Sequence, residues 1–523
     1  MQKKPRTYKP VAVELAKEQK EISIAQFFTR NRHLLGFDNP VRALSTTIKE
    51  LVDNSLDATE EMKVLPEIKV VIEQLKEENR FKIIVQDNGP GIVKEQIPKI
   101  FAKLLYGSKF FKLAQTRGQQ GIGVSASVLY GQLTTGKSAK ITSKIDPKKA
   151  AHYYELRINT QTNDPEILKE HEVAWAVEHG TKVEIELEGK YQKGKQSVEE
   201  YLKQTAIANP HLHLSYIGPD KQQIEYLRAT KELPIEPKKI KPHPYGVELG
   251  ILIRMLQDTK LKSIQSFLTN DFSRVSPRIA KEICEKAEIN PKSRPKTVVK
   301  DAEKIYKAIQ NTKIMAPPTN CLSPLSEELM IKGLKKEIDA EFFTAKTRPP
   351  AVYRGFPFQI EAAIAYGGKL NSEGLAQVLR YANRVPLLYQ KSACAITQSV
   401  VNTKWNNYGL SQSRGALPQG PVVIMVQISS VWVPFTSEAK EAIAHYPEII
   451  KEIKLALQEC GRDLGSFLRK KKKVAMEQKK KSYIEKYIPH VGAALKEILN
   501  LSATQEKTTV TRLKDILEKS RKI

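Results

Sequence analysis

Arg42-Ala-Leu-Ser-Thr-Thr-Ile-Lys-Glu-Leu-Val-Asp-Asn-Ser-Leu-Asp-Ala58 is the stretch on which the fold turns. Leu44, Ile48, Leu51, Val52 and Leu56 recur at helical spacing, which predicts an amphipathic helix with one stripe buried against a core. Glu50, Asn54 and Asp57 fall on the opposite face, four and three residues apart. Side chains at that spacing project from neighbouring turns and can converge on one small ligand. A solvated polar face gives the same pattern, so the helix by itself leaves both readings open.

Two later stretches favour a ligand. Residues 81–85 are an apolar run of strand length leading into Asp87-Asn-Gly89-Pro-Gly91-Ile92, where two glycines allow the backbone to approach a bound group closely. Arg117-Gly118-Gln119-Gln120-Gly121-Ile122-Gly123-Val124 then places three glycines ahead of a helix-like run, 124–130. Successive backbone N–H groups there can turn toward an anion at a helix N-terminus. Each loop alone is more often a tight turn. In this order and spacing they resemble the GHKL (Bergerat) nucleotide fold of gyrase B, MutL, the ninety-kilodalton heat-shock chaperones and the sensor histidine kinases. Gly180-Thr181, followed by an alternating strand over 182–187, is similar to the last motif of that family.

The resemblance implies an ATPase using ATP and Mg²⁺. Glu50 would polarise the attacking water, a task for a carboxylate acting as acceptor and base. Asn54 would offer a neutral amide oxygen to Mg²⁺. Asp87, in the turn shaped by Gly89 and Gly91, would accept from the adenine amino group with Thr181 beside it. Asp57 reads as structural, capping or bracing the following loop. Residues 107–123 would form a lid that closes over the phosphates and excludes water. Its ligand-facing groups would be Ser108, Lys109, Gly118, Gln119, Gln120, Gly121, Ile122 and Gly123, followed by Val124 and Ser125.

One motif points elsewhere. Gly131-Gln-Leu-Thr-Thr-Gly136-Lys137-Ser138 fits the phosphate-loop pattern Gly-x-x-x-x-Gly-Lys-Ser/Thr in full. That loop needs a strand before it and a helix after it. Here a helix-like run, 124–133, precedes and a strand-like run, 139–145, follows, so the stretch reads as an ordinary helix-to-strand loop.

A chain of 523 residues exceeds one ordinary core and suggests about three domains. Its formal charge of +27 favours a polyanionic partner, nucleic acid first and an anionic membrane second. The sequence shows no 18-residue apolar run and no signal-peptide core, which predicts a soluble, intracellular protein, cytoplasmic or nuclear according to its source. Cys284, Cys321, Cys394 and Cys460 have no paired spacing and read as reduced, buried thiols.

The domain plan is layered α/β overall. Residues 1–22 form a basic arm and 23–232 the ATPase sandwich. Prolines at 234, 237, 242 and 244 mark a boundary. Lys241-Pro-His-Pro-Tyr-Gly-Val-Glu248 resembles the opening of the helix–two-turn–helix insert found in B subunits of topoisomerase VI. Amphipathic helices at 249–257, 264–268, 276–287 and 298–310 fill an all-helical insert over 233–312. A second break, 315–324, opens an α/β domain over 313–460, with strands expected at 356–366, 379–389 and 422–435. Gly355-Phe-Pro-Phe, Leu379-Arg-Tyr-Ala-Asn-Arg-Val-Pro-Leu-Leu-Tyr389 and Trp405-x-x-Tyr408-Gly409-Leu410 are similar to the transducer of that family. A long helix is expected over 449–473, with a stalk and basic tail over 461–523. The lysine runs at 469–473 and 479–481 would attract phosphates, adding salt dependence rather than sequence choice. Some members of the family end in a further β-sandwich, for which this sequence leaves no room.

What the resemblance implies is an ATP-gated clamp, the ATPase subunit of a type IIB topoisomerase. Two copies would close around duplex DNA on ATP binding. A separate A subunit, in an A₂B₂ heterotetramer, would carry the cleaving tyrosine, and no membrane is involved. A MutL-like repair ATPase and an ATP-switched, non-catalytic scaffold are the alternatives. The helical insert argues against the first, and DNA-stimulated turnover would argue against the second. The family also sends one basic transducer residue into the nucleotide site, usually the lysine after the tryptophan of Trp-Lys-x-Tyr-Gly. Asn406 stands at that position, so Lys404 is the expected substitute, with a surface lysine as the other reading.

Overall fold

The computed structural model describes residues 11–109, 113–118 and 121–519. After α1 (Val11–Glu18) and α2 (Ile24–Arg30), the central helix α3 runs from Pro40 to Met62. Its start is set chemically: the Asn39 side chain accepts from the Arg42 N–H, and Pro40 takes a first-turn position where no N–H is needed. It ends where Lys63 turns left-handed at φ 62°. The expected stripe of Leu44, Ile48, Leu51, Val52 and Leu56 is buried in the first core.

That core lies on a sheet of eight strands: β1 (Glu67–Gln74), β2 (Arg80–Gln86), β3 (Ala139–Lys144), β4 (Ala151–Ile158), β5 (Pro165–Val173), β6 (Gly180–Glu188), β7 (His213–Ile217) and β8 (Gln223–Tyr226). Their order is β5-β4-β3-β6-β2-β1-β7-β8, with β1 and β7 parallel and the other ladders antiparallel. Alternate residues of the central strands, among them Ile83, Val85, Val183 and Ile185, point into the core shared with α3. Helices α4 (Ile97–Ala102), α5 (Gly123–Thr135) and α6 (Val198–Ala208) complete the layer. The phosphate-loop look-alike lies as expected: Gly131 to Thr135 close α5, Gly136 is its left-handed cap, and β3 follows.

The insert folds around its own core. Helices α7 (Leu249–Asp258), α8 (Ile264–Asp271), α9 (Pro277–Lys286) and α10 (Ala302–Gln310) bury Leu252, Leu256, Phe267, Ile283 and Ile305 together. The helix expected over 298–310 begins instead as a 3₁₀ run, Pro295–Asp301.

In the third unit, α11 (Glu327–Glu337) is followed by β9 (Phe342–Thr347), β10 (Ala351–Tyr353), β11 (Phe356–Tyr366), β12 (Gln377–Ala382), β13 (Val385–Pro386), α12 (Ala395–Val401) and β14 (Val422–Ser430). The order is β10-β11-β14-β12-β13, with β9 also on β11. All nine residues of β14 are buried, as a strand covered on both faces requires. Three expectations need correction. Residues 379–389 are not one strand but a hairpin, turned by Asn383 and Arg384 at φ 50° and 67°. The strand expected to reach 435 stops at Ser430, where the serine Oγ accepts from the Trp432 N–H and turns the chain. The stalk helix α13 spans Pro447–Leu499, so a boundary at 460 falls inside one helix. Its first turns bury Ile453, Leu457 and Leu464 on the transducer sheet, which makes them part of that core. A last helix, α14 (Ala503–Lys519), packs back against α13.

The units share apolar surface. Ile207 and Ala208 of α6 lie in one cluster with Leu325, Met330 and Leu334 around α11 and Leu379 and Tyr381 of β12. Transducer residue Leu388 reaches into the ATPase core. The four cysteines are free and buried. No helix among the described residues is long and apolar enough to cross a membrane.

Candidate nucleotide site

The polar face of α3 forms one wall of a cleft of about 750 Å³. Lys49 donates to Glu50 Oε1 at 3.1 Å, and the Lys440 ammonium adds its field. Burial pushes the Glu50 carboxyl up, but these two cations outweigh it and hold the group below its ordinary range. Glu50 is therefore an anion at neutral pH. The first residue of α5 closes on it: a β-carbon on Gly123 would lie 1.8 Å from Glu50 Oε2. Only glycine lets the helix N-terminus, with its partial positive charge, sit against the carboxylate.

Asn54 Nδ2 donates to the Glu50 backbone carbonyl at 2.8 Å, which fixes the amide and leaves Oδ1 toward the lid, 3.7 Å from where a Gly118 side chain would begin. At the far end, Asp87 Oδ2 accepts from the Ser55 hydroxyl at 2.8 Å. Its Oδ1 accepts from the N–H groups of Gly89 and Thr181 at 2.9 and 3.1 Å. Burial raises the Asp87 carboxyl against the pull of those donors. A carboxylate has about four lone-pair sites, so it retains capacity for a donor from the cleft. Gly180, at φ 142°, lets β6 run beside the Asp87 backbone, where a β-carbon would meet its carbonyl at 2.2 Å. Val85, Ile92, Phe101 and Val183 give the same cleft apolar lining.

Of the residues expected at the site, Glu50, Asn54, Asp87, Gly91, Ser108, Lys109, Gly118, Gly121, Ile122, Gly123, Val124, Ser125 and Thr181 line this one cleft. Gly89 is buried behind it, serving Asp87. Gln119 and Gln120 lie outside the described residues. Lys109 lines the cleft, yet its Nζ is bound to Asp57 Oδ2 at 2.6 Å. Asp57 Oδ1 accepts from Arg117 Nη1 at 2.9 Å, so this carboxylate braces the lid rather than the loop that follows α3. Lys109 and Arg117 hold it below its ordinary range in spite of burial.

Two family models match this chain. The family described as "Histidine kinase-, DNA gyrase B-, and HSP90-like ATPase" matches residues 39–190, and "Topoisomerase VI B subunit, transducer" matches 317–481. The B subunit of type 2 DNA topoisomerase 6 from Methanococcoides burtonii is 50% identical over 492 residues, 94% of this chain and 79% of that one. The chain belongs to the topoisomerase VI B-subunit family. The corresponding B subunits of Methanosarcina mazei and Archaeoglobus fulgidus are 47% and 45% identical, over 96% of this chain in both cases and 81% and 84% of theirs.

The two transducer positions that the sequence offers for a basic residue at the site do not reach the cleft. Lys404 and Asn406 are exposed and do not line the cleft. Lys404 precedes and Asn406 lies within a 3₁₀ turn, Trp405–Tyr408, whose geometry gives residues two apart no common face. The buried indole donates to the Val400 carbonyl at 2.8 Å and anchors the turn. The cation that the transducer side adds to Lys49 at Glu50 is Lys440, in the loop over 436–442 between β14 and α13. Burial and the like charge of Lys49 lower its pKa, and Glu50 opposes them. Thr436 and Ala442 close the loop by an N–H···O bond of 2.9 Å, and Glu441 ion-pairs with Arg42 at the start of α3. Sequence reading missed Lys440 because nothing local marks it. The one available signal was a polar loop, Thr436-Ser-Glu-Ala-Lys-Glu441, ending an otherwise buried run.

Proposed function

We propose that this chain is the ATP-hydrolysing subunit of a type IIB topoisomerase, closing as a dimer around duplex DNA while a separate A subunit cleaves. The observation that carries this is Glu50, ionised between Lys49 and Lys440 at the N-terminus of α5 and facing the Asp87–Thr181 end of one cleft. Asp87 accepts from the adenine amino group. The backbone N–H groups opening α5 receive phosphate oxygens. Glu50 orients a water and takes its proton as the water attacks the terminal phosphate. Asn54 Oδ1 would hold Mg²⁺ together with phosphate oxygens, a donor set that suits an ion bound by few protein ligands, and the ion would neutralise phosphate charge. Lys440 meets the terminal phosphate from the transducer side, so loss of that phosphate changes the charge at a loop joined directly to α13. That is how the nucleotide state would reach the stalk.

Glu50→Ala tests this reading. The variant is expected to bind ATP and dimerise but to turn it over at least about a hundredfold more slowly, the usual worth of a positioned base. Turnover at the wild-type rate would sink the assignment.

A further inference from the structure

Beneath the lid, the transducer meets the ATPase unit through buried charge. The contact is the two-residue turn joining β12 to β13, Asn383-Arg384, with φ 50° and 67°. Such mirror-type hairpin turns favour Asn followed by Gly, because both central residues are left-handed. Arg384 stands where glycine would sit without strain, and what its side chain reaches accounts for it. The guanidinium forks onto Glu60, Nη2 to Oε2 at 2.9 Å and Nη1 to Oε1 at 3.2 Å. The same carboxylate takes a second fork from Arg117 of the lid, at 2.8 and 3.0 Å, and His211 Nε2 at 3.0 Å. Beside it, Asn383 Nδ2 donates to the Thr116 carbonyl at 3.0 Å. Arg117 continues to Asp57, and Asp57 to Lys109 at the cleft.

Direct ion pairs thus run Arg384–Glu60–Arg117–Asp57–Lys109, from transducer to phosphate side. Glu60 and Asp57 are three residues apart on the helix that carries Glu50 and Asn54. Within this run of direct pairs three cations alternate with two carboxylates, burial lowers the His211 pKa beside them, and Glu61 adds its field at Lys109. If Lys109 leaves, the two arginines still pair directly with both Glu60 and Asp57. Without Arg384, Arg117 alone must serve both carboxylates, and Asp57 holds Lys109 more tightly.

We propose that Arg384 is a positioning residue for ATP turnover: seated beneath the lid, it completes the charge balance that frees Lys109 to move from Asp57 to the nucleotide phosphates. The inference rests on the nucleotide site proposed above and adds a transducer residue to it. The lid would then be competent only while the Asn383–Arg384 turn is docked.

The test uses the full chain. Arg384→Gly deletes the guanidinium and suits the left-handed backbone; Arg384→Lys keeps the charge without the fork. Arg384→Gly is expected to raise KM for ATP roughly tenfold with kcat changed less than about threefold, and Arg384→Lys to fall between it and wild type. In a Lys109→Ala background, Arg384→Gly is expected to change KM by less than about twofold, because both act through one contact. A merely structural role would leave the two effects additive, and additivity overturns the proposal. Wild-type KM in Arg384→Gly beside a defective Lys109→Ala overturns this inference alone. Wild-type KM in Lys109→Ala overturns the role of Lys109 and this inference with it. Should Arg384→Gly not fold, the same cycle run with Arg384→Lys decides by the same criteria.

Discussion

Lys440 and Lys404 carry the same charge into different surroundings, and at the scale of single residues that difference decides which of them reaches the cleft. Lys440 is held beside Glu50 by a loop tied to α3 through the Glu441–Arg42 pair, whereas Lys404 is exposed on a turn away from the cleft. A hydrogen bond to a charged partner is worth about 1.5–3 kcal/mol. Lys440→Ala is therefore expected to slow ATP turnover and ATP-driven dimerisation by roughly tenfold to a hundredfold, and Lys404→Ala to stay within about twofold of wild type. Turnover assays on the two variants side by side check this; equal defects would remove Lys440 from the role. The contrast also shows which cleft-lining residues were legible in their placement. Glu50 and Asn54 were readable because a helix fixes their relative position from spacing alone. Asp87 and Gly123 were readable because glycine marks a close approach of backbone. Lys440 is placed by a docking event nearly four hundred residues downstream of Glu50, and the short tryptophan phrase that suggested Lys404 forms a turn anchored elsewhere.

Helix α3 is the element through which these residues act together. One face is buried in the ATPase core, another carries Glu50 and Asn54, and its last turns carry Asp57 and Glu60. Long periodic runs such as α3, β11 and β14 were legible as elements, since their apolar pattern is sustained. The β12–β13 hairpin was not, because both arms are apolar and its turn lacks the glycine that would announce it. The end of α3 also gives the domain pair a pH response. Burial lowers His211 below its ordinary value of 6.5, Glu60 notwithstanding, while Arg117 and Arg384 nearby lower it further. The folded chain then binds this proton less readily than the unfolded one, so stability falls as pH drops through the ordinary histidine range. Glu60 and Asp57, held below their ordinary values, keep their contribution until the pH enters the carboxylate range. The expectation is a melting temperature that declines between pH 7 and about pH 5, with a His211 term of at most about 1.4 kcal/mol per pH unit. His243, also lowered by burial, acts in the same sense in the insert. His211→Asn should therefore reduce the slope without abolishing it in a thermal-melt series. An unchanged slope would show that His211 titrates normally in the folded chain.

At the scale of the whole molecule, charge and architecture separate two tasks. The nucleotide cleft lies at the ATPase–transducer junction, and its charges are locally paired. The excess of the +27 chain is displayed elsewhere, most densely on α13 after it leaves the transducer core. Between 469 and 486 the sequence has nine basic residues and two acidic ones, and residues 469–480 are exposed. Of these lysines, Lys471 is drawn to Glu341 on the domain beneath. Exposed cations in such a row match a regularly charged polyanion better than they match one another. If they bind the DNA backbone, each phosphate neutralised should contribute about −0.9 to the slope of log affinity against log salt. Binding of duplex DNA by the full chain is therefore expected to weaken steeply, with six contacts costing on the order of a thousandfold between 50 and 200 mM salt. Replacing Lys470, Lys472 and Lys473 by Gln should reduce the slope by about two to three while leaving ATP turnover measured without DNA unchanged, since none of the three touches the cleft. A fluorescence-anisotropy titration across salt concentrations reads both quantities. A slope unaltered by the triple replacement would move the DNA track off the stalk and onto another basic surface.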